Sequence, residues 1–166
     1  MNALSEHRIF SHRSAVGSIL ETWRSENEQI VFTNGVFDLL HPGHVAYLEE
    51  AAALGTKLVL GLNSDASAKK LGKGEHRPIN DQRARALVVA GLRSIDMVVL
   101  FDEATPLELI ETVRPAVLVK GGDYRIETVV GAEEVLKYGG EVKLLRFLDG
   151  YSTTAIEQKI LKGVRN

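Results

Sequence analysis

Ile30-Val31-Phe32-Thr33-Asn34-Gly35-Val36-Phe37-Asp38-Leu39-Leu40-His41-Pro42-Gly43-His44 is the stretch that decides how this chain is read. It opens with an apolar, β-branched run, the composition of a buried strand. A glycine-containing turn follows and leads into a helix whose first turn presents two imidazoles. Pro42 suits the first helical position, where its missing N–H leaves no bond unmade. Gly43 removes a side chain that would hold a ligand's phosphate away from the backbone. His41 and His44 stand three apart, so both rings project from one face of the opening turn. A helix N-terminus already favours anions through its unpaired N–H groups and its dipole. Two ring donors placed there make a cradle for a phosphate whose charge rises during reaction. An isolated pair of this kind could be a capping histidine and a surface histidine. Set after a strand and Gly-x-Phe-Asp, the phosphate reading is the stronger one.

Working outward, two patterns alternate. Short β-branched runs occur at Ile30–Phe32, Lys57–Leu62, Met97–Leu100, Ala116–Val119 and Val142–Leu145. Between them, Val45–Leu54, Gln82–Leu92, Pro106–Val113 and Glu133–Tyr138 carry helical apolar spacing, and a last helix is expected from about Thr153 to Lys162. Near-continuous apolar strands separated by helices imply an α/β, Rossmann-like three-layer αβα domain with a five-stranded parallel sheet covered on both faces. Ligands of such sheets bind beyond the strands' carboxyl ends, near the switch in strand order.

The chain divides into an N-terminal extension, residues 1–28, and a domain over 29–166. In the extension Ala15, Val16, Ile19, Leu20 and Trp23 repeat at three and four, as in an amphipathic helix docked on the domain. Met1 to His12 is expected to fray. The 166 residues suit a single core. A net charge of −2 gives no general attraction to nucleic acid or anionic membrane, so phosphate binding must come from local clusters. Without cysteine the chain has no disulfide, thiolate metal site or cysteine nucleophile. No apolar stretch approaches a membrane span and no apolar signal core opens the chain, so a cytoplasmic protein is expected.

Two familiar phosphate-binding patterns are missing: there is no Gly-x-x-x-x-Gly-Lys-Ser/Thr, and no strand is followed by Gly-x-Gly-x-x-Gly. Instead, Lys69, Lys70, Lys73, His76 and Arg77 cluster in and before the loop Leu71–Pro78, with Arg83 and Arg85 on the next helix. Such a run is ordinarily a solvated surface. Here two loop glycines allow it to fold over a ligand. Ser152-Thr153-Thr154 precedes the last helix; a cap explains one hydroxyl, and a second anion site explains all three. Lys120-Gly121-Gly122-Asp123-Tyr124 follows the fourth strand, and its paired glycines permit close backbone approach. Asp65 is most simply an N-cap. Asp38 either holds backbone N–H groups of the turn or binds a sugar's hydroxyls.

The segment Gly35 to His44 resembles the GxFDxxHxGH signature of the nucleotidylyltransferase superfamily, the cytidylyltransferase-like group. Asn63-Ser64-Asp65-Ala66-Ser67, Arg77-Pro78-Ile79-Asn80, Val119 to Tyr124 and Asp149 to Thr154 follow in the order of one branch, the adenylyltransferase of ADP-heptose synthesis. The resemblance spans about Gln29 to Lys162. It implies transfer of AMP from ATP to D-glycero-β-D-manno-heptose 1-phosphate, giving ADP-heptose, a lipopolysaccharide precursor, and pyrophosphate. It implies catalytic roles for His41, His44 and Lys73. Nucleotide contacts fall to Thr33, Asn34, Gly35, Phe37, His41, Gly43, His44, Arg85, Lys120, Gly121, Gly122, Asp123, Ser152, Thr153 and Thr154. Contacts to the sugar phosphate fall to Asp38, Asn63, Lys70, Lys73 and Arg77. An apparent one-residue insertion at Gly72 leaves Lys70 and Lys73 as alternatives for a given phosphate. Mg²⁺ would arrive bound through the ATP phosphates, with no protein ligands assigned, and the enzyme would be a homo-oligomer. Cytidylyl-transferring relatives carry Arg-Thr-x-Gly-Ile-Ser before the last helix. Here Phe147-Leu148-Asp149-Gly150-Tyr151-Ser152 lacks that arginine, which favours ATP over CTP, although Arg146 lies one residue away. The alternatives are a cytidylyltransferase acting on a small alditol or amino-alcohol phosphate, and a non-catalytic nucleotide-binding regulatory module.

Overall fold

The structure, a computed structural model, describes residues 5–72, 74, 76–122 and 125–163. Its strands are β1 (Ile9–Phe10), β2 (Ile30–Gly35), β3 (Lys57–Asn63), β4 (Met97–Phe101), β5 (Val117–Gly121) and β6 (Glu141–Leu145). Its helices are α1 (Gly17–Ser25), α2 (Pro42–Ala52), α3 (Asp65–Lys70), α4 (Gln82–Ala90), α5 (Leu107–Val113), α6 (Ala132–Lys137) and α7 (Thr153–Gly163). The strands form one parallel sheet in the order β1-β4-β3-β2-β5-β6.

The apolar strands bury both faces. On one side Phe32, Val59 and Val99 pack with Leu20 of α1, Leu109 and Ile110 of α5 and Val135 of α6. On the other, Val31, Leu60 and Val98 pack with Tyr47, Leu48 and Ala51 of α2 and with Ala86 and Val89 of α4. From β2 the chain steps outward to β3 and β4, then returns to place β5 on β2's other side. The switch point therefore lies between β2 and β5, whose carboxyl ends carry the Gly35 turn and Gly121.

The sheet has six strands where the apolar runs predict five. The extra one comes from the segment expected to fray: Ile9 pairs with Val98 and Phe10 with Val99. Arg8 fixes it by donating Nη1 to the Ile95 carbonyl at 2.9 Å. Two residues show no periodicity, so only the open edge of β4 reveals that they pair. Val16 and Leu20 are fully buried, and Ile19 and Trp23 pack on the same core. Ser64, not Asp65, caps α3, its side chain accepting from Ser67 N–H. Among the described residues no helix is long and apolar enough to cross a membrane.

Candidate active site

The turn after β2 is shaped by close packing. A Cβ on Gly35 would lie 2.8 Å from Phe37 Cε2, so only glycine lets that ring fold back over the strand end. Phe37 itself sits at φ 47°, a left-handed conformation that costs a non-glycine residue on the order of 1–3 kcal/mol and collects at functional sites. Its buried ring tilts against His44, with centroids 5.1 Å apart. His41 occupies the N-cap of α2 and Pro42 its first turn. The two imidazoles stack, with centroids 3.8 Å apart and planes 20° from parallel. Burial pushes His41 below the usual imidazole pKa. Its Nδ1 is buried and makes no hydrogen bond among the described residues. Gly43 permits this packing, since a Cβ there would stand 3.1 Å from that Nδ1 and 3.4 Å from Tyr151 Cβ.

One turn along α2, the Tyr47 hydroxyl meets Thr33 Oγ1 at 2.5 Å beneath the site. Burial pushes the Tyr47 phenol up to about 12, so it stays protonated. Tyr47 also faces Gly121, where a Cβ would lie 2.9 Å from Tyr47 Cε2 and 2.5 Å from Phe147 Cε1. The rings of Tyr47 and Phe147 are tilted neighbours at 5.9 Å. Lys120 donates to Asn34 Oδ1 at 3.3 Å.

A polar scaffold supports the far side. The buried carboxylate of Asp38 accepts from the backbone N–H groups of Ile79 at 2.8 Å and Asn80 at 3.0 Å, and Asn80 Nδ2 donates to the Asp38 carbonyl. Asp38 thus holds backbone N–H groups, though of a segment some forty residues on and not of its own turn, and it anchors the loop that carries Arg77 and Pro78. Arg85 is fully buried. It donates to the carbonyls of Asn80, Val36 and Asn63 and pairs with Asp65 at 2.7 Å. With its donors committed to these groups it tethers three chain segments and is not among the residues that line the cavity. Asn63 is likewise buried, donating to Ser67 Oγ at 2.9 Å. Lys70 donates outward to the Asp102 carbonyl at 3.2 Å.

The last wall comes from the tail. Ser152 Oγ accepts from Ala155 N–H and Thr153 Oγ1 donates to the Leu39 carbonyl at 3.4 Å. Arg77 Nη2 pairs with Glu157 Oε2 of α7 at 2.5 Å.

Together these walls enclose a cavity of about 390 Å³. It gathers Asn34, Gly35, Phe37, Asp38, His41, Gly43, His44, Arg77, Lys120, Gly121, Ser152, Thr153 and Thr154 from the residues expected at the site. Thr33 lies underneath, held to Tyr47, whereas Asn63, Lys70, Arg85 and Gly122 are not in the lining. Lys73 and Asp123 fall outside the described residues. The cavity also takes in Val36, Tyr47, Ala68, Pro78, Phe147 and Tyr151, which sequence reasoning had not singled out. Tyr47 had a usable signal, because it follows His44 by one helical step of three. Among the described residues no three His, Asp or Glu side chains are grouped to hold a metal ion.

Comparison with known proteins identifies the family. Residues 32–159 match the family described as cytidylyltransferase-like. The bifunctional protein HldE of Marinomonas sp. (strain MWYL1) is 61% identical over 132 residues, which are 80% of this chain and 28% of that protein. HldE of Geobacter sulfurreducens is 58% identical over 147 residues, 89% of this chain and 30% of that protein. The chain thus spans about a third of the length of these curated relatives. Among solved structures, the lipopolysaccharide core biosynthesis protein from Thermoplasma volcanium GSS1 superposes with a TM-score of 0.60 at 31% identity, over 75% of this chain and 99% of that one. A pantoate-beta-alanine ligase from Francisella tularensis, covering 95% of this chain and 79% of its own, also gives 0.60 at 14% identity, a likeness of fold alone. The family match over most of the chain and the identity to these relatives establish that the chain belongs to the cytidylyltransferase-like family of nucleotidyltransferases.

Proposed function

We propose that the protein is an adenylyltransferase that transfers AMP from ATP to a sugar 1-phosphate, D-glycero-β-D-manno-heptose 1-phosphate, forming ADP-heptose and releasing pyrophosphate. The observation that carries this reading is the stacked His41/His44 pair at the N-terminus of α2, set in a cavity at the sheet's switch point. The likeness to bifunctional HldE proteins supports the choice of sugar and nucleotide.

The chemistry needs placement and charge neutralisation more than proton transfer. An oxygen of the sugar phosphate is already ionised. Its lone pair forms the new bond to the α-phosphorus of ATP as the bond to the bridging oxygen breaks, and pyrophosphate leaves with that electron pair. Ring N–H groups of His41 and His44 donate to the α-phosphate oxygens, where negative charge grows. Burial keeps His41 neutral near pH 7, so it acts as a hydrogen-bond donor and not as an imidazolium. The α2 dipole adds to the same field. Lys120 and the hydroxyls of Ser152, Thr153 and Thr154 would serve the remaining phosphate oxygens of ATP, and Arg77 the sugar phosphate. Magnesium, carried by the triphosphate, would supply further neutralisation.

Pyrophosphate release across ATP and CTP with a panel of sugar 1-phosphates and alditol phosphates tests this. The fastest turnover is expected with ATP and the heptose 1-phosphate. Faster turnover with CTP and an alditol phosphate would replace the assignment with a cytidylyltransferase. No release from any pair would leave a nucleotide-binding module.

A further inference from the structure

Phe147 is a large apolar side chain left 56% exposed on the loop between β6 and α7, yet it lines the cavity. Its ring edge fills the slot over Gly121, with Cε1 and Cζ standing 2.5 and 2.8 Å from where a Cβ of residue 121 would be. The other side of that slot is the buried ring of Tyr47. A glycine and two aromatic rings, tilted 59° to one another, thus bound an apolar slot at the end of β5. The polar part of the cavity lies one helical turn away, where His41 and His44 stack and Tyr151 abuts Gly43.

The substrates of the proposed reaction contain one planar apolar group, the nucleotide base. Sugar and phosphates carry none. With the α-phosphate at the imidazoles, the base extends toward the aromatic end of the same cavity. We propose that Phe147 is the base-stacking residue: its ring moves off Gly121, the base takes the slot beside Tyr47, and Phe147 closes over the base's outer face. Phe147 is more than half exposed, so stacking on a base buries apolar surface. Base–aromatic stacking is tolerant of base identity, because every base has a π-face. Phe147 therefore supplies nucleotide affinity, while the backbone near Gly121 is left to choose between bases. This assignment rests on the nucleotide reading of the cavity.

Calorimetric titration of the full chain with ATP alone, and separately with pyrophosphate, tests it. For Phe147→Ala the Kd of ATP should rise about tenfold, or about 1.4 kcal/mol. The Kd of pyrophosphate should stay within about twofold, because the phosphate donors are untouched. Phe147→Leu keeps apolar bulk without a π-face and should resemble the alanine variant, whereas Phe147→Tyr should bind like the parent. Equal ATP affinity in parent and alanine variant, or equal losses for ATP and pyrophosphate, would overturn the stacking role. A parent protein that does not bind ATP at all would instead overturn the nucleotide reading, and the stacking role with it.

Discussion

The two walls of the cavity are built to different standards. One is the β2–α2 turn, where Phe37, Asp38, Gly43 and Tyr47 are all buried and Arg85 ties the neighbouring segments together from below. The other is the tail from Arg146 onward, where Phe147, Leu148 and Tyr151 are exposed and α7 buries none of its residues. The tail is held mainly by polar contacts at the cavity rim, Thr153 to Leu39 and Glu157 to Arg77. On the proposed function, the donors to the reacting phosphorus belong to the wall with the more buried packing. The groups that would admit and release nucleotide belong to the wall with the least core beneath it. Rigid donors and a loosely held cover are what a reaction governed by placement requires.

Removing the tether should have the largest effect. Arg85→Ala leaves the carbonyls of Val36, Asn63 and Asn80 without their donor and opens a cavity under the turn. A loss of about 3 kcal/mol follows, near 10 °C in Tm for a chain of this size. Thermal unfolding checks it. An unchanged Tm with a large rise in KM for ATP would show that Arg85 serves the triphosphate after all.

His44→Ala probes the same wall at its chemical end. Loss of one donor to a developing phosphate charge should lower kcat about 10²–10³-fold while leaving Tm and ATP affinity near the parent values. Because His41 is held neutral, kcat should stay level from pH 7 to 8.5, and a fall across that range would mean that an imidazolium is the working form. Near-normal kcat in a folded His44→Ala protein would remove the pair from the mechanism.

The rigid wall was also the more legible one. Gly35, Pro42 and the paired histidines announce strand, turn and helix start within fifteen consecutive residues, because each acts on its own backbone. Arg85 shows where that kind of reading stops. Its sequence context, a basic residue after a basic loop, speaks for a phosphate, whereas three carbonyls from separate segments decide its burial. Only tertiary structure brings those carbonyls together. Tyr47 carries the spacing signal, three residues after His44, but a tyrosine on the apolar face of α2 also looks like ordinary core. β1 was hidden because two residues carry no period. Phe147 reads as a linker residue until the missing Cβ of Gly121 gives its ring a seat.

On the tail wall the expected effects are smaller. A preference for ATP over CTP of at least tenfold in kcat/KM, about 1.4 kcal/mol, is expected from backbone groups near Gly121 that pair with one base edge and are left unpaired by the other. Arg146, exposed one residue before the cavity-lining Phe147, is the residue expected to reverse it if its guanidinium reaches a cytosine carbonyl. Steady-state rates with both nucleotides at equal magnesium decide the matter, and equal or better use of CTP would overturn the adenylyl assignment.

The smallest effect belongs to Glu157→Gln. The Arg77–Glu157 pair is partly exposed, with side chains 13% and 36% accessible, so its net worth is about 0–1 kcal/mol. Since α7 buries nothing, Tm should move by less than about 4 °C. The kinetic effect has a definite sign if Arg77 serves the sugar phosphate. In the structure that guanidinium pairs with a carboxylate, which a bound phosphate would have to displace. Neutralising the carboxylate removes the competitor, so KM for the sugar phosphate should fall about two- to fivefold, within the range set by the pair's worth. KM for ATP should hardly change. A lower Tm with unchanged KM would make the pair a structural clasp between loop and tail. A higher KM would mean that Glu157 aims Arg77 at the substrate, and the tail would then be part of the rigid wall.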